Sequence, residues 1–439
     1  MQVYKFGGTS VGQPERMHRV AELIKRDSER KIVVLSALSG TTNSLVNISL
    51  SLAKDNKPEA QEKINKLKAH YHNFIKALLN TQKSQDLATR VIEEHFEFLN
   101  ITLKISFNEA LNRDILAQGE LMSTKLFTLY LQEKNIKAKL LPALEFMRTN
   151  EDHEPDLDFI SNKLSGLIED NKDFDLFITQ GYICKNHKGE IDNLQRGGSD
   201  YTASLVGAGI RAENIQIWTD IDGMHNNDPR VVDKTYPISE LSFNEAAELA
   251  YFGAKILHPA SIWPAQKFGI PVKLLNTMQP DAPGTIISKT TISGDVKAIA
   301  AKDGITAIKV KSTRMLLAYG FLRKIFEIFE KYKTPIDMIT TSEVAVSVTI
   351  DEDEHLEKIR EELSLFGQVE VDQNQTIICI VGNFVAEQKG IVTKIFDALE
   401  DTPIRMISYG GSRHNISLLT DSKNKEQALK MLNEHMFGL

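Results

Sequence analysis

The stretch VYKFGGTSVG, from Val3 to Gly12, runs from an apolar segment through Lys5 into paired glycines and hydroxyl residues. Glycine lets a backbone approach a bulky anion, whose charge backbone amides and a nearby lysine can neutralise. A plain turn between a strand and a helix also uses glycine for its conformational freedom. The stretch therefore predicts a first buried strand that leads into a phosphate-binding loop or a simple turn.

Short apolar runs like the first one recur along the first two thirds of the chain. We predict buried strands at residues 2–6, 31–37, 138–143, 174–181, 215–220 and 270–276. Helical patterns separate them, including residues 14–26 and a Lys-, Glu- and Leu-rich stretch at 55–135 that reads as a helical insertion. The alternation predicts an α/β fold, a three-layer sandwich around a mainly parallel sheet.

The last third of the chain contains an internal repeat of about 70 residues. RKIFEIFEKYKTPIDMITTSE (323–343) resembles TKIFDALEDTPIRMISYGGS (393–412), and VAVSVTID (344–351) aligns with HNISLLTD (414–421). Each copy reads as strand, helix, strand, strand, helix, although amphipathic α/β layers can look alike without true repetition. We predict a domain at 1–290 and two α+β modules, intertwined, at 300–375 and 376–439.

Composition narrows the class of protein. The chain has 439 residues and a net charge of -7, which argues against a nucleic-acid surface. We find no apolar run of the ~20 residues that a membrane helix needs and no signal-peptide pattern. Cys184 and Cys379 are the two cysteines, too few for a disulfide framework. These features predict a cytoplasmic protein with no membrane or nucleic-acid partner.

Two familiar nucleotide signatures occur only in part. Gly7 and Gly12 have Walker spacing, but Gln13 and Pro14 stand where Lys and Ser or Thr are required. GAGIRA (207–212) fits a dinucleotide fingerprint by its letters. It ends a helical run and precedes a strand, whereas the fingerprint follows a strand and opens a helix. Neither signature carries a functional prediction.

A second glycine pair lies in QRGGSDYTA (195–203), just before a helical run. Arg196 offers a planar fork for a carboxylate or phosphate, and the glycines Gly197 and Gly198 bring backbone amides close. Ser199 and Asp200 are candidate caps at the helix start. A cap alone does not require the arginine and the two glycines, so the stretch is a candidate anion site.

Two further polar clusters follow. In WTDIDGMHNNDPR (218–230), Thr219, Asp220 and Asn226 can hydrogen-bond a base or ribose, and Arg230 can reach a phosphate; a turn-rich connection is the structural alternative. In ELAYFGAKILHPA (248–260), Lys255 lies among apolar and small residues, where a lysine often just extends to solvent. His258 is predicted to be a packed or capping residue rather than a ligand.

With VVLSALSGTTNSL (33–45) and GELMST (119–124), these clusters closely resemble the aspartate kinases of amino-acid biosynthesis, in the same order, over residues 1 to about 285. The repeated modules resemble that family's paired ACT domains. The resemblance implies an amino-acid kinase fold and transfer of a phosphoryl group from ATP, with Mg²⁺, to the β-carboxylate of L-aspartate. This is the first step of lysine, threonine and methionine biosynthesis. It also implies a homodimer or larger homo-oligomer, and a monofunctional chain without a homoserine dehydrogenase unit.

The resemblance assigns roles residue by residue. It implies catalytic roles for Lys5, Asp200 and Lys255. It places aspartate against Ser36, Thr42, Glu120, Arg196, Gly197, Gly198 and Ser199. It places ATP against Lys5, Phe6, Gly7, Gly8, Thr9, Ser10, Thr219, Asp220, His225, Arg230, Lys255 and Ile256. It implies an effector pocket, of the lysine-sensitive type, at Met315, Ala318, Gly320, Phe321, Leu322, Ile336 and Asp337. Mg²⁺ is expected to arrive with the nucleotide, without a separate metal site.

The chain departs from the family pattern at four positions. Gln195 replaces a glycine, and His225 stands where many members have tyrosine beside the nucleotide. Ala318 and Pro335 replace serines of lysine-sensitive members, and the lost hydroxyls are expected to weaken effector binding. The alternatives are a related kinase acting on glutamate and a non-catalytic amino-acid sensor that keeps the kinase fold.

Overall fold

The computed structural model describes residues 1–194, 197–253, 257–289, 296–312 and 319–439. Its strands are β1 (Gln2–Phe6), β2 (Lys31–Leu35), β3 (Ala138–Leu140), β4 (Leu176–Gln180), β5 (Ile183–Lys185), β6 (Ile191–Asn193), β7 (Ile215–Thr219), β8 (Glu240–Ser242), β9 (Val272–Asn276), β10 (Thr285–Ser288), β11 (Val296–Lys311), β12 (Ile339–Thr341), β13 (Ala345–Ile350), β14 (Gln368–Gly382), β15 (Met406–Ser408) and β16 (Asn415–Asp421).

The helices are α1 (Gly8–Val11), α2 (Pro14–Leu23), α3 (Thr41–Ala53), α4 (Lys57–Leu78), α5 (Gln82–Thr102), α6 (Glu109–Glu133), α7 (Ala143–Phe146), α8 (Leu157–Asp170), α9 (Gly198–Ile210), α10 (Phe243–Tyr251), α11 (Trp263–Phe268), α12 (Phe321–Lys331), α13 (Leu356–Ser364), α14 (Ile391–Ala398) and α15 (Lys425–Phe437). Among the described residues, no helix is long and apolar enough to cross a membrane.

The chain divides into two compact units. The first unit contains Met1–Met224, Ser239–Phe243 and Leu257–Lys289, and the second contains His225–Ile238, Asn244–Ile256 and Thr290–Leu439. The predicted domain limits at 290, 300 and 375 remain predictions.

An eight-stranded sheet forms the centre of the first unit's described part, in the order β3-β4-β2-β1-β7-β9-β10-β8. Its pairs are parallel except for β9 with β10. Strands β2 and β4 are buried at every residue, as expected for strands covered on both faces. The carboxyl ends of β1, β2 and β4 share one edge of the sheet, which is where open α/β sheets bind ligands. The predicted mainly parallel α/β fold is confirmed.

The predicted helical insertion forms α4, α5 and α6, and each helix has a polar N-cap. Asn56, Thr81 and Asn108 each accept a hydrogen bond from a backbone N–H of the first turn, which satisfies a group that the helix cannot. Aromatic side chains such as Tyr71 and Phe96 are fully buried between these helices and the sheet. The long stretch therefore adds to the core of the first unit.

The repeated modules share one six-stranded sheet in the second unit's described part. Module 1 comprises β11, α12, β12, β13 and α13, and module 2 comprises β14, α14, β15, β16 and α15, which is the predicted order. The sheet order is β12-β13-β11-β14-β16-β15, with all pairs antiparallel. The long first strands of the two modules pair at the centre. The prediction of two α+β modules is confirmed.

Candidate active site

A lysine–carboxylate pair stands at the carboxyl end of the central strand. Lys5 is the fourth residue of β1, in register with Val34 of β2 and Ile217 of β7. Its Nζ lies 2.7 Å from Oδ1 of Asp200, and the two side chains are 12% and 17% exposed. Solvent screens a pair this buried far less than a surface pair. Lys5 is therefore a cation fixed in position at the sheet edge.

The start of α9 differs from the prediction that Ser199 and Asp200 cap it. The capping residue is Gly197 at φ +73°, which has no side chain with which to accept a hydrogen bond from the first turn. A β-carbon at Gly197 would lie 2.5 Å from Cβ of Ser261, so both backbone conformation and space require glycine. Gly198 opens the helix at φ +45°. The first-turn residues are left free for other contacts, and Ser199 Oγ accepts a hydrogen bond of 2.9 Å from Ser36 Oγ.

The glycines after β1 lie against both the lysine and the neighbouring loop. A β-carbon at Gly7 would lie 3.4 Å from Nζ of Lys5, and one at Gly8 would lie 3.1 Å from the carbonyl oxygen of Ala37. The backbone at Gly7 thus lies within van der Waals reach of the ammonium, and the backbone at Gly8 lies tightly against the loop after β2. A larger residue at position 8 would push the two segments apart.

The other candidates of the opening stretch point in different directions. Phe6 is buried and its ring stacks on Trp218 at 5.9 Å, so only its backbone is free to meet a ligand. The hydroxyl of Ser10 is buried and hydrogen-bonded to Oγ1 of Thr277 at 2.8 Å. Thr9 is exposed. Of the two hydroxyls predicted for ATP, Thr9 is free to contact it and Ser10 has a structural partner.

Glu120 lies in the middle of α6 and is buried. Its Oε1 accepts a hydrogen bond of 3.2 Å from the backbone N–H of Ala37, while Oε2 is buried without a partner in the part of the chain that the structure describes. Burial raises the pKa of Glu120 to about 8, although hydrogen bonding to the Ala37 amide acts in the opposite direction. A buried carboxyl with an unused oxygen can receive a cationic group.

Hydroxyl and amide groups that our sequence analysis did not single out hold Glu120 and the neighbouring loop. Ser123 Oγ donates to the carbonyl of Ser36 at 2.8 Å. Thr124 Oγ1 donates to the carbonyl of Glu120 at 2.8 Å and accepts from Nε2 of Gln180 at 2.7 Å. Ser123 and Thr124 belong to the GELMST motif, which was the available signal.

The two threonines at the start of α3 have different environments. Thr42, the predicted substrate contact, is exposed in the first turn. Thr41 is buried, and its Oγ1 lies 3.2 Å from the hydroxyl of Tyr71. The sequence TTN cannot distinguish them, whereas the fold leaves only Thr42 open to a ligand.

The nucleotide candidates after β7 belong to both compact units. In the first unit, Thr219 Oγ1 donates to the exposed Asp220 at 3.2 Å. In the second unit, Nδ1 of His225 lies 3.0 Å from Oγ1 of Thr235. Arg230 donates to both carboxylate oxygens of Asp228, at 2.9 and 2.8 Å, which holds the pKa of that carboxyl below its usual range. The pair uses Nε and Nη2 of Arg230, so the guanidinium is oriented by its own loop.

Comparisons with known proteins agree with this arrangement. Residues 1–276 match the model of the amino acid kinase family, and residues 378–436 match that of an ACT domain. The chain is 35% identical over 450 residues to lysine-sensitive aspartokinase 3 of Escherichia coli (strain K12), covering 99% of both chains. This chain belongs to the aspartokinase family. Aspartokinase 2, chloroplastic, of Arabidopsis thaliana is 36% identical over 465 residues, covering 99% of this chain and 84% of that relative.

Solved aspartokinase structures have the same fold. The crystal structure of E. coli aspartokinase III in complex with aspartate and ADP (R-state) covers all of both chains at 34% identity, with a TM-score of 0.84. The Clostridium acetobutylicum aspartate kinase covers 99% of this chain and 100% of its own, at 26% identity and a TM-score of 0.85. The resemblance predicted from the motifs is confirmed, and the chain is an ATP-dependent amino-acid kinase.

Several residues predicted for this aspartokinase lie outside the described ranges. They are Arg196, Lys255 and Ile256 of the catalytic part, Met315 and Ala318 of the effector part, and the divergent Gln195. His258, predicted as a capping residue, does accept a hydrogen bond at Nδ1 from the backbone N–H of Ala260, at 3.2 Å.

The described effector candidates lie at the start of α12 and before β12. Gly320 begins α12 at φ +78°, a conformation that favours glycine. Phe321 is buried in the core of module 1, so its ring packs inward, while Leu322 is exposed. Ile336 packs partly against the same core. Asp337 is the charged member of the set, and its partners are described below.

Proposed function

We propose that this aspartokinase transfers the γ-phosphoryl group of ATP to the β-carboxylate of L-aspartate, giving ADP and 4-phospho-L-aspartate. The observation that carries this proposal is the Lys5–Asp200 pair beside the glycines, at the sheet edge that also holds the buried carboxyl of Glu120. A related enzyme of known structure was crystallised with aspartate and ADP. The reaction opens the biosynthesis of lysine, threonine and methionine.

The chemistry requires charge neutralisation more than a base. The attacking carboxylate has an ordinary pKa near ~3.9, so it is ionised at neutral pH. The enzyme must bring this anion next to an anionic phosphate and stabilise charge on the transferring group. Lys5 supplies a fixed positive charge for the γ-phosphoryl group, and Asp200 holds its ammonium in place. Lys255 and Arg196 are assigned to the phosphates and the α-carboxylate by family resemblance.

Glu120 suits the α-ammonium of the substrate. Its Oε2 is buried without a partner in the described ranges, so an ammonium there gains a strong hydrogen bond and removes an unfavourable buried group. Ser36 and Ser199 join the loop after β2 to the start of α9 by their 2.9 Å hydrogen bond. That contact keeps the two glycine-containing segments in register around the substrate.

Mg²⁺ is proposed to bind with the nucleotide. Within the described ranges, no group of three or more His, Cys, Asp and Glu side chains could hold a metal ion. Mg²⁺ does not require such a cluster, because it commonly binds through substrate phosphates, water and one or two carboxylates. Asp220, exposed after β7, is a candidate for such a single carboxylate. When bound, the ion neutralises phosphate charge during transfer.

A hydroxamate-trapping assay with ATP and Mg²⁺ tests the substrate directly. We expect a hydroxamate product with aspartate and little with glutamate. A signal with glutamate alone would assign the enzyme to the glutamate-specific alternative. No signal with either, in the presence of a folded chain, would favour the amino-acid sensor.

We also propose that lysine inhibits the enzyme through module 1, in a homodimer or larger assembly formed by the modules. The lysine-sensitive relative and its crystal structure with lysine and aspartate support this. Strands β12 and β15 expose Ile339 and Ile407, apolar side chains that a second copy could cover. Titrating activity with lysine and threonine tests the effector, and no response to either would remove it. Analytical ultracentrifugation gives the oligomeric state.

A further inference from the structure

Asp337, whose carboxylate is predicted to bind the effector, already belongs to a network of charged and polar side chains. Asp337 precedes β12, and its side chain is only 1% exposed. The Nζ of Lys302, on β11, lies 2.8 Å from Oδ1 of Asp337 and 2.8 Å from Oδ2 of Asp351. The hydroxyl of Tyr251, at the end of α10, donates to the same Oδ1 at 2.6 Å. The Lys302 ammonium also lies over the ring of Tyr251, 4.5 Å from the ring centroid.

This network has unused capacity for a cation. Oδ2 of Asp337 is buried and has no partner in the part of the chain that the structure describes. Among the described residues of this network, Asp337 and Asp351 share the ammonium of Lys302, so these three side chains carry an excess negative charge. Burial lowers the pKa of Lys302, but the hydrogen bonds with Asp337 and Asp351 outweigh it, so the pKa is raised and the ammonium stays charged.

We propose that Lys302 is an internal competitor of the effector. Its alkylammonium group is the same chemical group as the one at the end of the side chain of free lysine. The proposal rests on the lysine regulation proposed above and adds a determinant of its threshold. A free cationic amino acid gains the attraction of Asp337 and Asp351 only after it displaces the Lys302 ammonium or binds beside it. Both routes weaken binding, the first by competition and the second by repulsion between like charges.

If Lys302 competes with the effector, replacing it should strengthen effector binding, which is unusual for a substitution in a binding site. Removing a positively charged residue from a binding site usually weakens binding of zwitterions, and removing a packed side chain usually loosens the site. Here Lys302→Met leaves Asp337 buried without its cation, a state that costs much free energy and that a bound ammonium relieves. We therefore expect L-lysine to bind about tenfold or more tightly, and to inhibit at correspondingly lower concentration.

The experiment measures binding to the full-length enzyme by isothermal titration calorimetry, alongside the hydroxamate assay. L-norleucine, which has the same carbon chain and α-ammonium but lacks the ε-ammonium of lysine, serves as the second probe, and its affinity should stay unchanged. Lys311→Met is the matched control, because Lys311 is also on β11 and pairs with Glu370 at 2.6 Å in an exposed pair. Lys302→Gln, which keeps a hydrogen-bond donor without charge, replaces Lys302→Met if that variant does not fold.

Each outcome has one meaning. If wild type binds L-lysine and neither Lys302 variant binds it more tightly, the competitor role is wrong while the proposed regulation stands. An equal gain for L-norleucine would overturn the role too, since Lys302 would then act by occupying space. If neither wild type nor the variants bind L-lysine, both the competitor and the lysine effector are wrong. Aspartate phosphorylation is judged separately by the hydroxamate product.

Discussion

Glu120 and Asp200 are both carboxylic acids near one sheet edge, yet the fold gives them different electrostatic surroundings. Asp200 faces the Lys5 ammonium at 2.7 Å and is partly exposed. Glu120 is 4% exposed, and a backbone N–H is its closest donor among the described residues. The first carboxylate lies against a cation, whereas burial raises the pKa of the second and favours its neutral form. The same functional group thus holds a lysine in one case and remains available for a cationic ligand in the other.

The raised pKa of Glu120 predicts the pH dependence of aspartate binding. Pairing with the substrate ammonium needs ionised Glu120, whose pKa in the free enzyme is about 8. Below that pH, ionisation limits binding, so the KM for aspartate should fall by up to about tenfold per pH unit as pH rises from about 6 to 8. Steady-state kinetics over this range measure the slope, and a KM that rises with pH would contradict the assignment.

The raised pKa of Glu120 should make the folded chain less stable as the pH rises, whereas it makes aspartate binding tighter. Between the ordinary pKa of 4.5 and about 8, the folded chain keeps a proton that the unfolded chain releases. The group therefore makes the free energy of unfolding fall as pH rises through that window. Glu120→Gln removes this decline, so the variant should gain stability relative to wild type from pH 5 to pH 8 while its KM for aspartate is high and independent of pH. Thermal melts of both proteins across the window test this.

Lys5 should act on turnover more than on substrate affinity. We expect Lys5→Ala to lower kcat by about 10²–10³-fold and to change the KM for aspartate less than tenfold, since the charge it stabilises develops during transfer. Lys139→Ala is the control, because Lys139 is an exposed lysine on β3 of the same sheet. A loss expressed mainly in KM would make Lys5 a substrate-binding residue.

Residue types were predictable from sequence, but residue partners were not. The family resemblance assigned catalytic roles to both Lys5 and Asp200, and the structure places their side chains 2.7 Å apart. Ser199 resembled a helix cap because serine before a helical run usually is one. Its true partner, Ser36, is 163 residues away in sequence, and no local pattern encodes that distance.

Elements were predicted well where apolar runs are short and buried on both faces. The strand predicted at 31–37 ends at Leu35, because Ser36 and Ala37 turn to meet Ser199 and Glu120. The second module, predicted at 376–439, has as its first strand the long β14, which begins at Gln368. The first half of this strand, QVEVDQNQ, has Val369 and Val371 as its apolar residues, and these pack partly against the core of module 1. The remaining polar residues are extended because this half pairs with β11. Pairing between repeats is a long-range effect that local patterns do not show.

Gly181 follows β4 and lies against the start of α9, so we expect that it cannot be replaced by a larger residue. A β-carbon at Gly181 would lie 2.3 Å from Oγ and 2.9 Å from Cα of Ser199, so Gly181→Ala must displace the start of α9. Because Asp200 follows, the Lys5 pair should lengthen, and we expect at least about a tenfold loss of kcat/KM together with a lower Tm.

Gly166→Ala is the matched control for that substitution. Gly166 lies on the exposed face of α8, and no atom of the described residues lies within 4 Å of its would-be β-carbon. Alanine there should stabilise the helix by about 0.5–1 kcal/mol and leave activity unchanged. Activity and melting temperature are measured for both variants. A Gly181→Ala enzyme with wild-type kinetics would show that the start of α9 does not position the catalytic pair.

At the scale of the whole molecule, the sequence predicted a sheet domain followed by paired modules, and the division into compact units is less simple. Residues 225–238 and 244–256 belong to the second unit although they lie within the sequence matched by the amino acid kinase family. Buried amides explain the first of these assignments. Asn433 of α15 accepts from Nδ2 of Asn226 at 3.3 Å and from Nδ2 of Asn227 at 3.2 Å. Sequence spacing gave no sign of this contact.

This contact predicts that the last helix controls the nucleotide segment. Asn433→Ala leaves Asn226 and Asn227 buried with fewer acceptors, at a cost of about 1–3 kcal/mol. His225 and Arg230, which the family resemblance assigns to ATP, lie in residues 225–238, the segment that this substitution should loosen. The KM for ATP should therefore rise more than the KM for aspartate, and amide hydrogen exchange should increase at 225–238 while β1 stays protected. Gln427→Ala, which removes an exposed amide from the same helix, should change neither quantity. Unchanged exchange at 225–238 in the Asn433→Ala enzyme would mean that the asparagine network does not hold this segment, and the expected effect on ATP would lose its physical basis.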